Sequence, residues 1–429
     1  MQATAAVNPM MLLLLLGPPA PALAIKGDGP SGTEDYYWAK RGGTYIGHGA
    51  VPFDVPTDLS KKPAWVWNND DDELFRHGPV IDGKKNIYAV TAASWTRKFS
   101  PDGKLLWSHR FSEAEGKTVT SPFLYKSRLY VESMGWKSWG GQSLMHCLDM
   151  ETGSKLWTKP VTTSGHKNHD SSTVHVAEGV VMSMSVSHTR PAPFEGNNLI
   201  YAMNASDGSQ LWEYTLESGV VWNFMPATPG DGSFLYATNC GAVERRRLAD
   251  GSRIWRGPLE EPGTWCSTGG GTLGPNGVYY AETNHRGYRA PLPGVAPCRR
   301  SGCPEGQGLL AAYSVEDGRV LWSRRILKGF GGWQYPTVGR LRGRLALVAG
   351  IGENPALADP HAFGERWAPF ELKLLVFKAQ YEFGWLRRFL GIPAKRNAVA
   401  AFDAETGELI WSWEEEPWGY LAAIGDEGE

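Results

Sequence analysis

Four ligand-type side chains crowd one short segment, SGHKNHDSSTVH: His166, His169, Asp170 and His175. Imidazole and carboxylate groups bind transition metals, so the cluster could hold a cation. In an extended strand successive side chains alternate between faces, which sends His169 and Asp170 in opposite directions. Without a clear third ligand, the segment reads better as polar lining of a channel than as a metal site. A second set of residues pairs an aromatic ring with a smaller neighbour: Trp222-Asn223, Trp265-Cys266 and Trp333-Gln334. Three such pairs facing one axis would form a small-molecule pocket, with rings to stack on and polar atoms to orient the ligand. Three tryptophans that only fill a wide channel would look the same in sequence.

Both readings need an axis, and an internal repeat supplies one. Gly, three residues, then Trp recurs at Gly103/Trp107, Gly153/Trp157, Gly208/Trp212, Gly251/Trp255, Gly318/Trp322 and Gly407/Trp411. Asp or Thr always precedes the Gly, and Leu or Ile always precedes the Trp. The spacing is about that of a four-stranded propeller blade, with insertions in the later copies. Each copy begins with an apolar run such as LIYAM, LLAAY or AVAAF, whose branched and aromatic side chains suit a pleated strand. Gly accepts the positive φ of a tight turn, and Asp or Thr can bond the turn backbone. The Trp can bury a large ring between adjacent sheets. The expected fold is all-β: a β-propeller of about six to eight four-stranded blades, complete or partial. PAWVWNND, around Trp65 and Trp67, reads as an outer strand without its own upstream hairpin, able to complete the last blade.

The boundaries follow. Residues 1–24 read as a signal peptide, with a short apolar core from Met10 to Leu16 and a small-x-small site at Ala22-Leu23-Ala24, although its start lacks Lys and Arg. The alternative is a plain N-terminal tail. Residues 25–60 form a polar leader and residues 61–429 the propeller. Two segments break the rhythm: a Pro/Gly-rich loop at 285–306 and a longer insertion at 355–396. In the second, Phe370, Leu374, Phe377, Tyr381, Trp385 and Phe389 recur every three or four positions, a helical stripe. Lys373, Lys378, Arg387 and Arg388 lie off that stripe. The 370–390 segment could contact a membrane surface or a partner, or pack on its own propeller.

Composition narrows the classes. A formal charge of −2 gives no electrostatic case for nucleic acid. The chain has no C-x-x-C-H haem motif, P-loop, nucleophile elbow or dinucleotide fingerprint; GGGTLG leads into a strand rather than a helix. Cys298 and Cys303 could close the loop CRRSGC in an oxidising compartment or remain thiols. Asn204-Ala-Ser206 is the one glycosylation sequon, beside a blade turn.

The unit Ala401-Phe402-Asp403-Ala404-Glu405-Thr406-Gly407-Glu408-Leu409-Ile410-Trp411 resembles the tryptophan-docking repeat of pyrroloquinoline quinone (PQQ) type propellers. The opening, YYWAKRGG through PAWVWNN, is similar to the start of quinoprotein dehydrogenases. That family holds calcium- and PQQ-dependent alcohol and sugar dehydrogenases, and also cofactor-free scaffolds, so fold alone does not choose an activity. The resemblance implies that Glu195 and Asn284 stand where the family binds calcium, and Trp265 where its floor tryptophan lies. Glu195 could equally be an exposed loop acid, Trp265 channel filling, and Asn284 a turn residue bonding its own backbone. The family's catalytic Asp is replaced by Gln334, after Trp333. Gln is neutral and cannot act as a general base. The adjacent-cysteine disulfide of alcohol-oxidising members is also missing. The expectation is a non-catalytic scaffold for a protein partner or small planar ligand, with PQQ and calcium left open. A dehydrogenase and a quinone sensor are the alternatives.

Overall fold

A computed structural model of the chain describes residues 36–43, 49, 60–68, 78–91, 93–118, 120–134, 143–161, 174–185, 197–217, 221, 224–238, 242–257, 270–284, 308–327, 330–332, 335–352, 385 and 397–414. These form six antiparallel sheets in chain order. The first holds β1 (Val80–Ile81), β2 (Ile87–Val90), β3 (Trp95–Phe99) and β4 (Leu105–Arg110). The second has β5 (Lys117–Thr118) and β6 (Phe123–Tyr125) as two pieces of one inner strand, then β7 (Arg128–Met134), β8 (Ser143–Asp149) and β9 (Lys155–Pro160). The third holds β10 (His175–Ala177), β11 (Val180–Ser185), β12 (Leu199–Asn204) and β13 (Gln210–Thr215). The fourth holds β14 (Ser233–Ala237), β15 (Val243–Arg247) and β16 (Arg253–Gly257), and an Ala227–Leu235 bridge takes the innermost place. The fifth holds β17 (Thr272–Leu273), β18 (Val278–Asn284), β19 (Gly308–Ser314) and β20 (Val320–Arg325). The sixth repeats the split inner strand, β21 (Gly331–Gly332) and β22 (Thr337–Leu341), before β23 (Arg344–Gly352), β24 (Asn397–Asp403) and β25 (Leu409–Glu414). This is the expected β-propeller of four-stranded blades.

One local device recurs in all six sheets. The outer strand slips register by one residue at the Leu or Ile before the Trp: Ala202 faces Trp212 but Met203 faces Gln210, and Cys147 faces Trp157 but Leu148 faces Lys155. The other four outer pairs shift at the same place. A β-bulge adds twist and re-aims the side chains beside it. Here Leu106, Leu156, Leu211, Ile254, Leu321 and Ile410 point to solvent, while the adjacent Trp turns toward the next sheet.

In the first five sheets the ring then lies against the turn glycine of the following sheet. A Cβ built on Gly153 would sit 2.6 Å from the Trp107 ring, and one on Gly251 2.7 Å from Trp212. Gly208, Gly318 and Gly407 receive Trp157, Trp255 and Trp322 in the same way, and Gly103 receives Trp65. The indole N–H donates to a carbonyl of that turn: Trp107 to Met150 at 3.1 Å, Trp212 to Leu248 at 2.8 Å, Trp255 to Val315 at 2.8 Å and Trp322 to Ala404 at 3.1 Å. Trp157 breaks the pattern. Its N–H has no partner among the described residues. The carbonyl it would reach, that of Ala205, already accepts from the Tyr130 hydroxyl at 2.9 Å and from Arg128 at 3.1 Å.

Apolar burial lies between sheets rather than within them. Five clusters join consecutive sheets, for example Tyr130, Cys147, Val176 and Tyr201 between the second and third, and Leu310, Trp322, Leu347 and Phe402 between the fifth and sixth. Among the described residues no such cluster joins the sixth sheet to the first. Residues 38–40 and 49 contribute from the leader. Trp38 bridges Ile81 of β1, the Ala39 carbonyl accepts from the Leu124 amide of β6, Lys40 reaches His175 of β10 and the Pro226 carbonyl, and Gly49 packs on Thr337 of β22. This strap therefore touches the inner strands of five sheets, as a segment threading the axis must.

The loop insertion 285–306 and residues 1–24 lie outside the described residues. So does the helical insertion 355–396, except for Trp385, which is helical and exposed. Among the described residues no helix is long and apolar enough to cross a membrane.

Candidate functional site

The sheets have two kinds of end. At one lie the tight turns, where Asp and Thr do local work: the Asp149 carboxylate accepts from the Thr152 amide at 2.8 Å, which with the Thr152 hydroxyl holds its pKa below the usual range. The sequon Asn204 sits in such a turn and accepts from the Ser206 amide at 2.8 Å. At the other end the second strand of a sheet passes to the third, and one sheet passes to the next. The described residues that flank the sequence-predicted site positions, such as Asn197, Val221, Asn284 and Gly332, lie at that second end. Its bases are two-residue extensions of inner strands and the tips of strands such as β11 and β18, so the sheets fix where the loops begin.

Glu195, Trp222, Asn223, Trp265, Trp333 and Gln334 lie outside the described residues, as do His166, His169, Asp170, Cys298 and Cys303. Their flanks are described. Asn197, two residues after Glu195, bridges Val221, which immediately precedes Trp222. The Val221 amide donates to the Asn197 carbonyl at 2.9 Å. The described backbone that follows Glu195 and the described backbone that precedes Trp222-Asn223 are therefore paired. Asn284 is the last residue of β18 and pairs with Gly308 of β19. The Gly308 amide donates to the Phe330 carbonyl at 2.8 Å, and a Cβ on Gly332 would meet the Thr283 carbonyl at 2.9 Å. Thus the backbone just before Trp333 lies against the strand that ends in Asn284. The two described backbone pairings belong to different sheets. Among the described residues no three His, Cys, Asp or Glu side chains stand together as a metal-binding group.

The axis holds a polar cluster that the sequence did not flag as one. Lys40 Nζ lies 3.2 Å from His175 Nδ1 and donates to the Pro226 carbonyl at 2.9 Å. His175 Nε2 faces the Thr228 hydroxyl at 3.4 Å, and Phe123 packs edge-on to the imidazole at 5.3 Å. No carboxylate appears among these contacts. Burial disfavours the ammonium and brings the Lys40 pKa down to about 7. Burial, and then the neighbouring Lys40, push His175 well below its ordinary value. His175 is thus a neutral strut for the strap, whereas the sequence placed it among channel-lining groups.

Two buried glutamates were also missed. Glu132 of β7 accepts from the Ser183 hydroxyl at 2.7 Å and from Tyr201 at 2.8 Å, both in the third sheet. Glu282 of β18 occupies the same place in the fifth sheet and is 1% exposed. The signal was present: YVES and YAET align over Tyr130–Ser133 and Tyr280–Thr283. The tyrosines match as well, with Tyr130 bonding the Ala205 carbonyl and Tyr280 that of Ala404.

A family model described as outer membrane protein assembly factor BamB matches residues 64–268 and, overlapping, 142–354. No curated protein matches the chain. Among solved structures, a europium-containing methanol dehydrogenase superposes with a TM-score of 0.52 at 11% identity, covering 90% of this chain and 86% of that one. The quinohemoprotein alcohol dehydrogenase from Comamonas testosteroni gives 0.53 at 13%, over 94% of this chain and 71% of that one. BamB from Moraxella catarrhalis gives 0.42 at 13%, over 76% and 70%. At such identities the likeness carries the fold alone.

Proposed function

Because the chain belongs to the family of PQQ-repeat β-propellers matched by the BamB assembly-factor model, we propose that it is a non-catalytic binding and assembly scaffold working outside the cytoplasm. The observation that carries this reading is Gln334, which follows Trp333 where the resemblance places a catalytic Asp. A carboxamide does not take up a proton near neutrality, so the abstraction step of alcohol oxidation has no base there. The axial strap supports the same reading, since the chain's own Lys40 and Ala39 fill the space between inner strands. In an assembly factor, protein partners would dock on the loops and turns at the ring ends.

The residues present do not make a good calcium and quinone site. Calcium takes roughly six to eight oxygen ligands, and the matching positions offer Glu195 and Asn284 without a further Asp. Where β18 ends at Asn284, the backbone of Gly308 pairs with it and Gly332 lies against Thr283. A dehydrogenase of alcohols or sugars remains the second reading because Glu195, Trp265 and Asn284 keep family-like separations. A quinone sensor, with the floor Trp265 kept and the base lost, is the third.

Titration with PQQ, with and without calcium, separates them through tryptophan fluorescence followed by dye-linked oxidation of alcohols and sugars. The scaffold reading expects no binding at micromolar PQQ. Calcium-dependent binding that weakens in Glu195→Ala and Asn284→Ala, without turnover, would replace it with the sensor. Turnover would replace it with the dehydrogenase.

A further inference from the structure

The β12–β13 turn of the third sheet differs from two of its relatives by one functional group. Four residues before the repeat glycine stand Asp149, Asn204 and Asp403, in the second, third and sixth sheets. Each uses a side-chain oxygen to hold its turn. Asp149 Oδ1 accepts from the Thr152 amide at 2.8 Å and Asp403 Oδ1 from the Thr406 amide at 2.7 Å. Asn204 Oδ1 accepts from the Ser206 amide at 2.8 Å and the Ser206 hydroxyl at 2.7 Å. The two carboxylates show that such a turn needs only an acceptor at this place. The fold thus accounts for the Asn204 oxygen and gives no work to its nitrogen. Nδ2 donates to no described residue, and it is not among the polar atoms sealed from solvent without a partner. Ser206 and Asp207 beside it are exposed, whereas Ala205 is 4% exposed, with its carbonyl held by Tyr130 and Arg128. The turn is therefore tied down through its backbone while the carboxamide nitrogen stays open.

We propose that Asn204 is a glycosylation site, carrying an oligosaccharide transferred from a polyprenyl diphosphate carrier in a eukaryotic secretory membrane. Asn204-Ala205-Ser206 has the acceptor pattern, and no other Asn of the chain does. In the transfer Nδ2 attacks the anomeric carbon of the carrier-bound sugar. The N–C bond forms, the C–O bond to the diphosphate breaks, polyprenyl diphosphate leaves and Nδ2 gives up one proton. The product is still an amide with the same oxygen, so both Ser206 bonds survive. The modified side chain is also compatible with the seat of Trp157 on Gly208, which is made by the glycine four residues further on.

The inference rests on the proposed function in one respect: the chain must work outside the cytoplasm, because the transfer takes place in a secretory lumen. It is indifferent to the choice between scaffold, sensor and dehydrogenase. It does bear on where a partner docks. Arg128 of β7 donates to the Ser206 carbonyl at 2.9 Å, so this turn lies against the second sheet as well as closing the third. A bulky, solvated glycan there would shield the tight-turn end of both sheets. A protein partner would then meet the opposite end, where the flanks of the candidate site residues lie.

The test is translation of the full chain, with its own leader, in the presence of endoplasmic-reticulum microsomes. Gel mobility, sensitivity to peptide N-glycosidase and resistance to added protease are read together. The expected product resists protease and shows a single upward step in apparent mass that the glycosidase removes. Asn204→Asp should abolish the step while keeping the turn's acceptor, as Asp149 and Asp403 do. Ser206→Ala should abolish it and Ser206→Thr should retain it. The sugar is added during translocation and the gel is denaturing, so a folding defect would not mimic its loss. Protease-resistant chain without the step would overturn the proposal and leave the extracytoplasmic reading standing. A step that survives Asn204→Asp would overturn it as well. Chain wholly open to protease would overturn the proposal and the extracytoplasmic reading together.

Discussion

Gly251→Ala measures how tightly a ring is seated on its turn. Gly251 has φ +69°, and an added Cβ would lie 2.7 Å from Trp212 Cε3, 2.9 Å from Cδ2 and 3.0 Å from Cζ3. The indole cannot retreat easily. Its N–H is fixed to the Leu248 carbonyl at 2.8 Å, and its ring stacks on Phe234 with the planes 12° apart. Gly343, in the β22–β23 turn, is the matched control: φ is +78° and nothing lies within 4 Å of its added Cβ. Both substitutions place a Cβ in the left-handed region, at about 1 kcal/mol. Only Gly251→Ala adds overpacking, typically about 1–3 kcal/mol. The expected losses are therefore about 1 kcal/mol for Gly343→Ala and about 3 kcal/mol for Gly251→Ala. Urea unfolding followed by tryptophan emission reads both as shifts in midpoint at constant slope. A loss for Gly251→Ala no larger than for Gly343→Ala would refute the argument that the ring rests on the glycine.

Two further outcomes concern the axis and the odd tryptophan. Lys40 is largely neutral when folded above about pH 7 but charged when unfolded, so the unfolded chain binds more protons between about pH 7 and 10.5. Stability should then rise with pH across that window, by at most about 1.4 kcal/mol per pH unit, and Lys40→Met should flatten the rise; a slope unchanged by the substitution would remove Lys40 from the account. Trp212→Phe should cost about 1 kcal/mol more than Trp157→Phe, because only Trp212 gives up an N–H bond to the next sheet. Thermal or urea unfolding of the two variants decides it, and equal losses would mean that Trp157 has a partner.

The repeat was legible because its parts are local. Asp or Thr, Gly and Trp lie within six residues of one another, and each type answers to one need: turn bonding, positive φ, a ring to bury. The bulge was not legible. Leu and Ile before the Trp look like core residues, yet Leu106 and Ile410 face solvent because a one-residue slip rotates the strand. Lys40 was hidden more deeply. In YYWAKRGG it reads as one polar residue of an irregular leader, and its partners are 135 and 186 positions away. Sequence periodicity carries no signal for a segment that threads an axis. The candidate ligand positions Glu195, Trp265 and Gln334 came from resemblance, and only their neighbours Asn197, Gly270 and Gly332 belong to the described framework. Glu132 and Glu282 could have been found by aligning the second strands of sheets as well as their turns.

Five inter-sheet cores among six sheets make the described residues a linear array in energetic terms. Among the described residues the inner sheets are buttressed on both sides and the sixth on one, and the first gains partial cover from Trp65 and Trp67 on Phe99. In such an array the free energy of opening grows with distance from an unsupported end. Amide exchange should therefore run as a gradient along the chain, fastest in the β24–β25 hairpin and slowest near the third and fourth sheets. A closed ring has no end from which to fray, and would show near-uniform protection in place of that gradient.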